Sequence, residues 1–432
     1  MRHQILRFLN ILPVFLLNLI LSGVKFFKYD LYVKIIRKMT PNKLLALTKL
    51  SPKAIAKLPI MTSKELSKYL LIELVPEKYE QVKTPDIYQI TVDNFVNLRQ
   101  DPINIYLFEN VRFRPKSDII QFDDKVFWQK FNRAEFSQMI PMDADFISVD
   151  YKSRQVFVIN NDTRHSRHYQ SAFSLCGVHT EAWGHFLLSY LPKLQALQNI
   201  SETETNTIII PKNMHAHHRD MIELFLEANF LERKLVIEEV DDHETIICDK
   251  LYYCNSIGFL SDSGLLVSPA SSSISKYGSE AISNFMKHVH GKTPSTPSTK
   301  IYIGRGAGRN NTNAAEIEEF FVSNGFEVVY PHLLTIAQKM EIFGNATHIC
   351  GPVSSGFTNM IFCKKNVKIL GFFNYARAFD PFISGLNHAG GLGHEILFIT
   401  GYEEPTPYIN NSYYIDLERV KHACSDISFF KF

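Results

Sequence analysis

The sequence predicts an α/β protein of two Rossmann-like halves facing a cleft, preceded by a small β-hairpin region and an apolar amino-terminal helix. Three observations carry this expectation. Strand-like and helix-like stretches alternate from about Gln155, and the alternation restarts after a Pro/Ser/Thr-rich stretch at 292–299. The chain of 432 residues also exceeds what one compact core holds.

From Phe8 to Val24 the chain is uncharged and apolar, with Arg2 and Arg7 before it. The run is slightly short of the about 20 apolar residues that a span needs, and it contains Pro13. Nine Lys and Arg against one acid, Asp30, occupy Lys25 to Lys57. A basic excess on that side keeps the body of a protein in the cytoplasm, and such segments also sit on anionic lipid. Residues 1–28 are therefore expected to attach a cytoplasmic protein to the inner or plasma membrane, a buried helix being the alternative. Within 29–135, residues 61–100 read as polar helix and loop, and INIYLFENVRFRP with DIIQFDDKVFW as antiparallel strands.

Residues 136–291 make the first half. QVFVIN, NTIIIP and KLVIEEV read as its strands, and EAWGHFLLSYLPKLQAL and HHRDMIELFLEANF as its helices. In the second half, residues 300–410, the strands KIYIG, FEVVYP, THICG and VKILGFF alternate with helices, the signature of a nucleotide-binding unit. Residues 411–432 form a tail.

Two loops of the second half suit an anion. GPVSSGFTN follows a strand and opens a helix, so the amides of Ser354, Ser355 and Gly356 can meet phosphate, with Thr358 and Asn359 as side-chain donors. GRGAGRNNTN follows the first strand, where Arg305 and Arg309 can neutralise a diphosphate. His185 is a candidate base, and Glu181, four residues earlier, a group to orient or replace it. The histidines of MHAHH, His215 to His218, read as solvated, and Asp143-Ala144-Asp145 is a short string that resembles a metal-holding D-x-D. A net charge of +2 speaks against nucleic acid as a partner, and six scattered cysteines without C-x-x-C spacing read as buried thiols.

These motifs resemble glycosyltransferase family 61. Gly304-Arg305 stands where the family's first core strand ends in Ser-Arg, and Arg309, Asn313 and Glu316 follow as in its Arg-x-x-x-Asn-Glu-like region. Gly325-Phe326, Ala337-Gln338 and Ala346-Thr347 stand where the family has Gly-Phe, Glu-Gln and Ala-Asp, ahead of GPVSSGFTN, the counterpart of Gly-Pro-His-Gly-Ala-Gly-Leu-Thr-Asn. GHFLLSYLPKL is similar to His-Trp-Leu-Leu-Asp-x-Leu-Pro-Arg, with His185, Leu191, Pro192 and Lys193 in place. The likeness covers most of 104–422. It departs where Val353-Ser354-Ser355 replaces His-Gly-Ala and Ser189 replaces the helix acid.

The resemblance implies a GT-B-like enzyme that moves a sugar with inversion from a nucleotide sugar to a glycan or lipid-linked glycan acceptor. It implies no cofactor and no obligatory metal, donor contacts at Arg305, Arg309, Asn313, Ser354, Ser355, Gly356, Thr358 and Asn359, and a role in capsular or other surface polysaccharide synthesis. A relative that has lost catalysis and binds a nucleotide sugar or glycan is the alternative.

Overall fold

A computed structural model describes residues 55–129, 143–159, 165–260, 272–290, 298–374, 386–387, 391–403 and 412–426, with Met39 and Leu44; positions 85, 92–94, 144, 256, 305–310 and 365 fall outside it. The apolar run Phe8–Val24 and most of the linker at 292–299 also lie outside the described residues. Among those residues, no helix is long and apolar enough to cross a membrane. The protein is a mixed α/β structure with several sheets.

The first large sheet contains β1 (Ile103–Phe113), β2 (Ser166–Ser174), β3 (Thr207–Pro211), β4 (Val236–Val240) and β5 (Thr245–Cys254), in the order β4-β3-β2-β5-β1. Strands β2 to β5 are parallel and β1 is antiparallel to β5. The predicted hairpins appear as Ile119–Gln121 and Val126–Trp128 beyond β1. QVFVIN does not join this sheet: Gln155–Ile159 is the middle strand of an antiparallel sheet with Ile55–Pro59 and Phe146–Asp150. The first parallel strand is instead SRHYQSAFS, whose outer half is too polar to read as a buried strand. Residues 70–100 also depart from the polar helix expected there, because they hold the strands Leu70–Val75, Lys78–Lys83 and Phe95–Gln100.

This sheet curls on itself. Only residues 241–244 join the end of β4 to the start of β5, three strands away. Gly177 N, past the end of β2, also donates to Pro115 O, past the far end of β1, at 2.9 Å. A flat sheet permits neither. Phe108, Val111, Ile209, Val240, Ile246 and Cys248 form one apolar cluster between the curled parts.

The second sheet contains β6 (Thr299–Ile303), β7 (Glu327–Val329), β8 (Ala346–Pro352), β9 (Lys368–Asn374) and β10 (Glu395–Glu403), parallel to one another in the order β7-β6-β8-β9-β10, with Tyr413–Tyr414 pairing antiparallel beyond β10. Its strands alternate sides, as period-two side chains must. Tyr302, Cys350, Leu370 and Phe372 pack on α4 (Ala314–Ser323) and α6 (Leu417–Asp426). Ile301, Ile303, Ile349 and Ile369 face α5 (Ile336–Gly344) and the 3-10 helix Ser355–Phe362. The start of α5 is set by a capping box of Thr335 and Gln338.

In the first half, α1 (residues 183–199), α2 (Ala216–Asn229) and α3 (Lys276–His290) join that second cluster through Phe186, Leu187, Phe225 and Phe285. The two sheets thus share one apolar seam. Helix α1 starts as α-helix at Trp183–His185, widens to a π-turn over Phe186–Tyr190 and tightens to 3-10 from Leu191. Pro192 supplies no N–H to the Leu188 carbonyl, which accounts for the change in winding.

Candidate active site

Neighbouring strands β6 and β8 carry their connections to opposite faces of the sheet, the first to α4 and the second to the Ser355–Phe362 helix. Such a switch point leaves a crevice beyond the strand ends, where ligands of open α/β sheets bind. Both anion-suited loops leave from these two strands. Gly351 permits their close approach: its φ is 138°, and a Cβ there would lie 2.6 Å from the Ile303 carbonyl oxygen. At the end of β6 a Cβ on Gly304 would come equally close, 2.6 Å, to the Tyr330 ring.

In the loop itself, Ser354 Oγ accepts from Gly356 N at 3.2 Å, and Ser355 is exposed. Thr358 and Asn359 differ from the expectation of free donors. Both are fully buried; Thr358 Oγ1 donates to Ser355 O (2.6 Å) and Asn359 Nδ2 to Gly356 O (2.8 Å). They hold the turn rather than face outward. Asn313 is likewise occupied, donating to Ile415 O (2.7 Å) and accepting from Ile415 N (3.1 Å), so it fastens the tail to the start of α4. Arg305 and Arg309 lie outside the described residues.

Across the seam, α1 presents His185 from a turn built on β2. His179, left-handed with φ 64°, lies between the predicted pair: its ring centre is 5.1 Å from that of His185, and its Nδ1 is 3.9 Å from Glu181 Oε1. Glu181 precedes the helix, whose N-cap is Ala182, so the i−4 helical pairing with His185 does not form. The sequence of contacts is Glu181, His179, His185. The His179 side chain, above all, holds the Glu181 carboxyl down to about 2, against the opposing effect of burial. Glu181 is therefore a carboxylate at neutral pH. His179 escaped sequence reasoning because its spacing from His185 matches no helical face; its place two residues before Glu181 in HTE was the available signal.

Trp183 joins the two halves. Its Nε1 donates to Asn359 Oδ1 at 2.9 Å, placing the first turn of α1 against the helix that opens at Ser355. The Lys339 ammonium of α5 lies 4.0 Å above the indole ring, and His217 and His218 meet its edge with centroids 4.9 and 5.3 Å away. The expectation that the histidines of MHAHH are all solvated holds for exposed His215 but not for His218, which is 0% exposed.

The D-x-D string is structural. Asp145 pairs with Arg114 in the interior, while Asp143 accepts from Ser117 Oγ (2.7 Å), Asp118 N (2.5 Å) and Asp145 N (2.8 Å). Burial, with Asp118 and Asp145 alongside, pushes the Asp143 carboxyl up to about 7. No group of three or more His, Cys, Asp or Glu able to hold a metal occurs among the described residues. All six cysteines are buried and free.

Residues 183–370, from the Trp183 turn through the two loops at the switch point, match the family model Glycosyltransferase 61. That likeness is to a family of glycosyltransferases and covers less than half of the chain. No curated protein matches the chain.

Proposed function

We propose that the protein is an inverting, metal-independent glycosyltransferase of GT-B-like design, taking a nucleotide-sugar donor and a surface-glycan acceptor at the cytoplasmic face of a membrane. The observation that carries this reading is the Trp183–Asn359 contact, which sets the His185 turn against the helix that opens at the anion-suited loop. The donor diphosphate lies at the switch point, with the amides of Ser354 and Ser355 and the guanidiniums of Arg305 and Arg309 taking its charge, the Gly356 amide being engaged by Ser354 Oγ. His185 removes the proton of an acceptor hydroxyl, whose oxygen attacks the anomeric carbon as the bond to the nucleoside diphosphate breaks. The Glu181 carboxylate, acting through His179, favours the imidazolium that results.

The test is a donor screen by mass spectrometry on the full chain, paired with calorimetric titration of nucleoside diphosphate. Binding that Arg305→Ala greatly weakens, together with sugar transfer, supports the proposal. Binding unchanged in Arg305→Ala removes the donor site from this place. Binding without transfer leaves a nucleotide-sugar-binding relative.

A further inference from the structure

Beyond the donor crevice, the seam holds a concentration of cationic and N–H-donating side chains. Lys339 is 1% exposed, and its ammonium meets the Trp183 ring with no acidic partner among the described residues. His218 is fully buried, and neither ring nitrogen has a hydrogen-bond partner. His217 stacks on it at 4.6 Å and His215 at 5.5 Å, and no acid among the described residues offsets the charge at His217 and His218. A buried ammonium normally pairs with a carboxylate, and a buried imidazole normally finds a partner for its N–H. Both are missing at the same place.

Two further features give that place a sign and an approach. His215 is the N-cap of α2 without a capping side-chain bond, so the positive end of this 14-residue helix lies at the histidine cluster, the His218 amide itself being bonded to His215 O. His215 is exposed and His217 half-buried, which leaves the cluster reachable from outside, with His218 and Lys339 behind. Burial lowers Lys339 only to about 8, so it remains cationic at neutral pH, while burial and the cationic neighbours bring His217 to about 4 and His218 to about 3, neutral N–H donors. A metal does not suit the site: the rings lie nearly parallel, at 8°, 21° and 25°, so their nitrogens do not converge on one point, and the ammonium repels a cation.

We infer that His215, His217, His218 and Lys339 form a second anion site, on the acceptor side of Trp183, which holds an oxyanion carried by the acceptor. The inference rests on the proposed transferase reading for the word acceptor, but the site itself does not. The loop that carries the histidines follows β3 of the first half, whereas the donor loops belong to the second. The acceptor is therefore an acidic glycan or a phosphorylated one, the shared chemistry being a phosphate or carboxylate group.

The test uses the full chain saturated with nucleoside diphosphate, titrated separately with methyl phosphate and with glucuronate. A second saturable event with one of them is expected, and the probe that binds tells a phosphorylated acceptor from an acidic sugar. Lys339→Met, which retains the apolar stem over Trp183, should weaken that event by about tenfold or more, as loss of a charge-assisted hydrogen bond does. The half-exposed His217→Gln should weaken it in the same direction, and both variants should keep the nucleotide affinity of the parent. Absence of a second event, or undiminished binding in both variants, overturns the proposal. If the nucleotide does not bind and the anion does, the transferase reading falls and the anion site stands.

Discussion

Trp183 Nε1 donates to Asn359 Oδ1 at 2.9 Å, between a residue 9% exposed and one fully buried, and this bond ties the His185 turn to the loop at the switch point. Asn359 Nδ2 is spent on Gly356 O, so the one amide both shapes the loop and receives the neighbouring half. Trp183→Phe keeps most of the ring but leaves the Asn359 oxygen without its donor, which costs about 1–3 kcal/mol for a buried group. Urea unfolding should show a lowered midpoint, and turnover should fall more than nucleotide affinity. An unchanged midpoint would count against this coupling of the halves.

His185→Ala should reduce sugar transfer by ~10²–10⁴, the usual worth of general-base catalysis, with nucleotide affinity retained. His179→Ala should have a smaller effect on rate but shift the acid limb of the pH–rate profile, because His179 links Glu181 to His185. Steady-state kinetics from pH 5 to 8 would separate the two, and an unaltered rate in His185→Ala would remove it as the base.

The Asp143 carboxyl, raised from its ordinary range to about 7, makes a distinct prediction for stability. Between the ordinary carboxylate range and that value the folded protein holds a proton that the unfolded chain has lost, so stability falls as pH rises through the window. Asp143→Asn cannot lose that proton. The stability of the parent relative to the variant should therefore decline between about pH 4 and pH 7 in denaturant titrations. A difference independent of pH would show that Asp143 is ionised throughout.

Gly351→Ala should destabilise the protein. The alanine would have to hold φ at 138° with its Cβ against the Ile303 carbonyl oxygen. Strain of this kind costs of order 1–3 kcal/mol before any shift of β8 from β6. Thermal melting should register the loss, and nucleotide affinity should drop with it. A melting point equal to the parent's would argue against the tight approach of the two strands.

Much of the second half was legible because local signals agree there. Thr335 with Gln338 marks a helix start, Asn324-Gly325 a stop, and the apolar runs ICG and KILGFF read as buried strands. The first half was less so. QVFVIN reads as a better strand than SRHYQSAFS, yet the polar segment occupies the centre of the parallel sheet and the apolar one a separate sheet. Local apolarity reports burial, not which neighbour provides it.

By itself the sequence determined the order of strands and helices from Thr299 to Asn374, the two anion-suited loops, and the motif carrying His185. These depend on residues a few positions apart, whose spacing on a helix or strand is set by backbone geometry. Only the tertiary structure decided that Asn313, Thr358 and Asn359 are occupied by the fold, and that Glu181 reaches His185 through His179. It alone brought Lys339 over Trp183, 156 positions away along the numbering. Contacts between distant segments follow from how the two sheets share one apolar seam, and packing of that kind leaves no periodic trace along the chain.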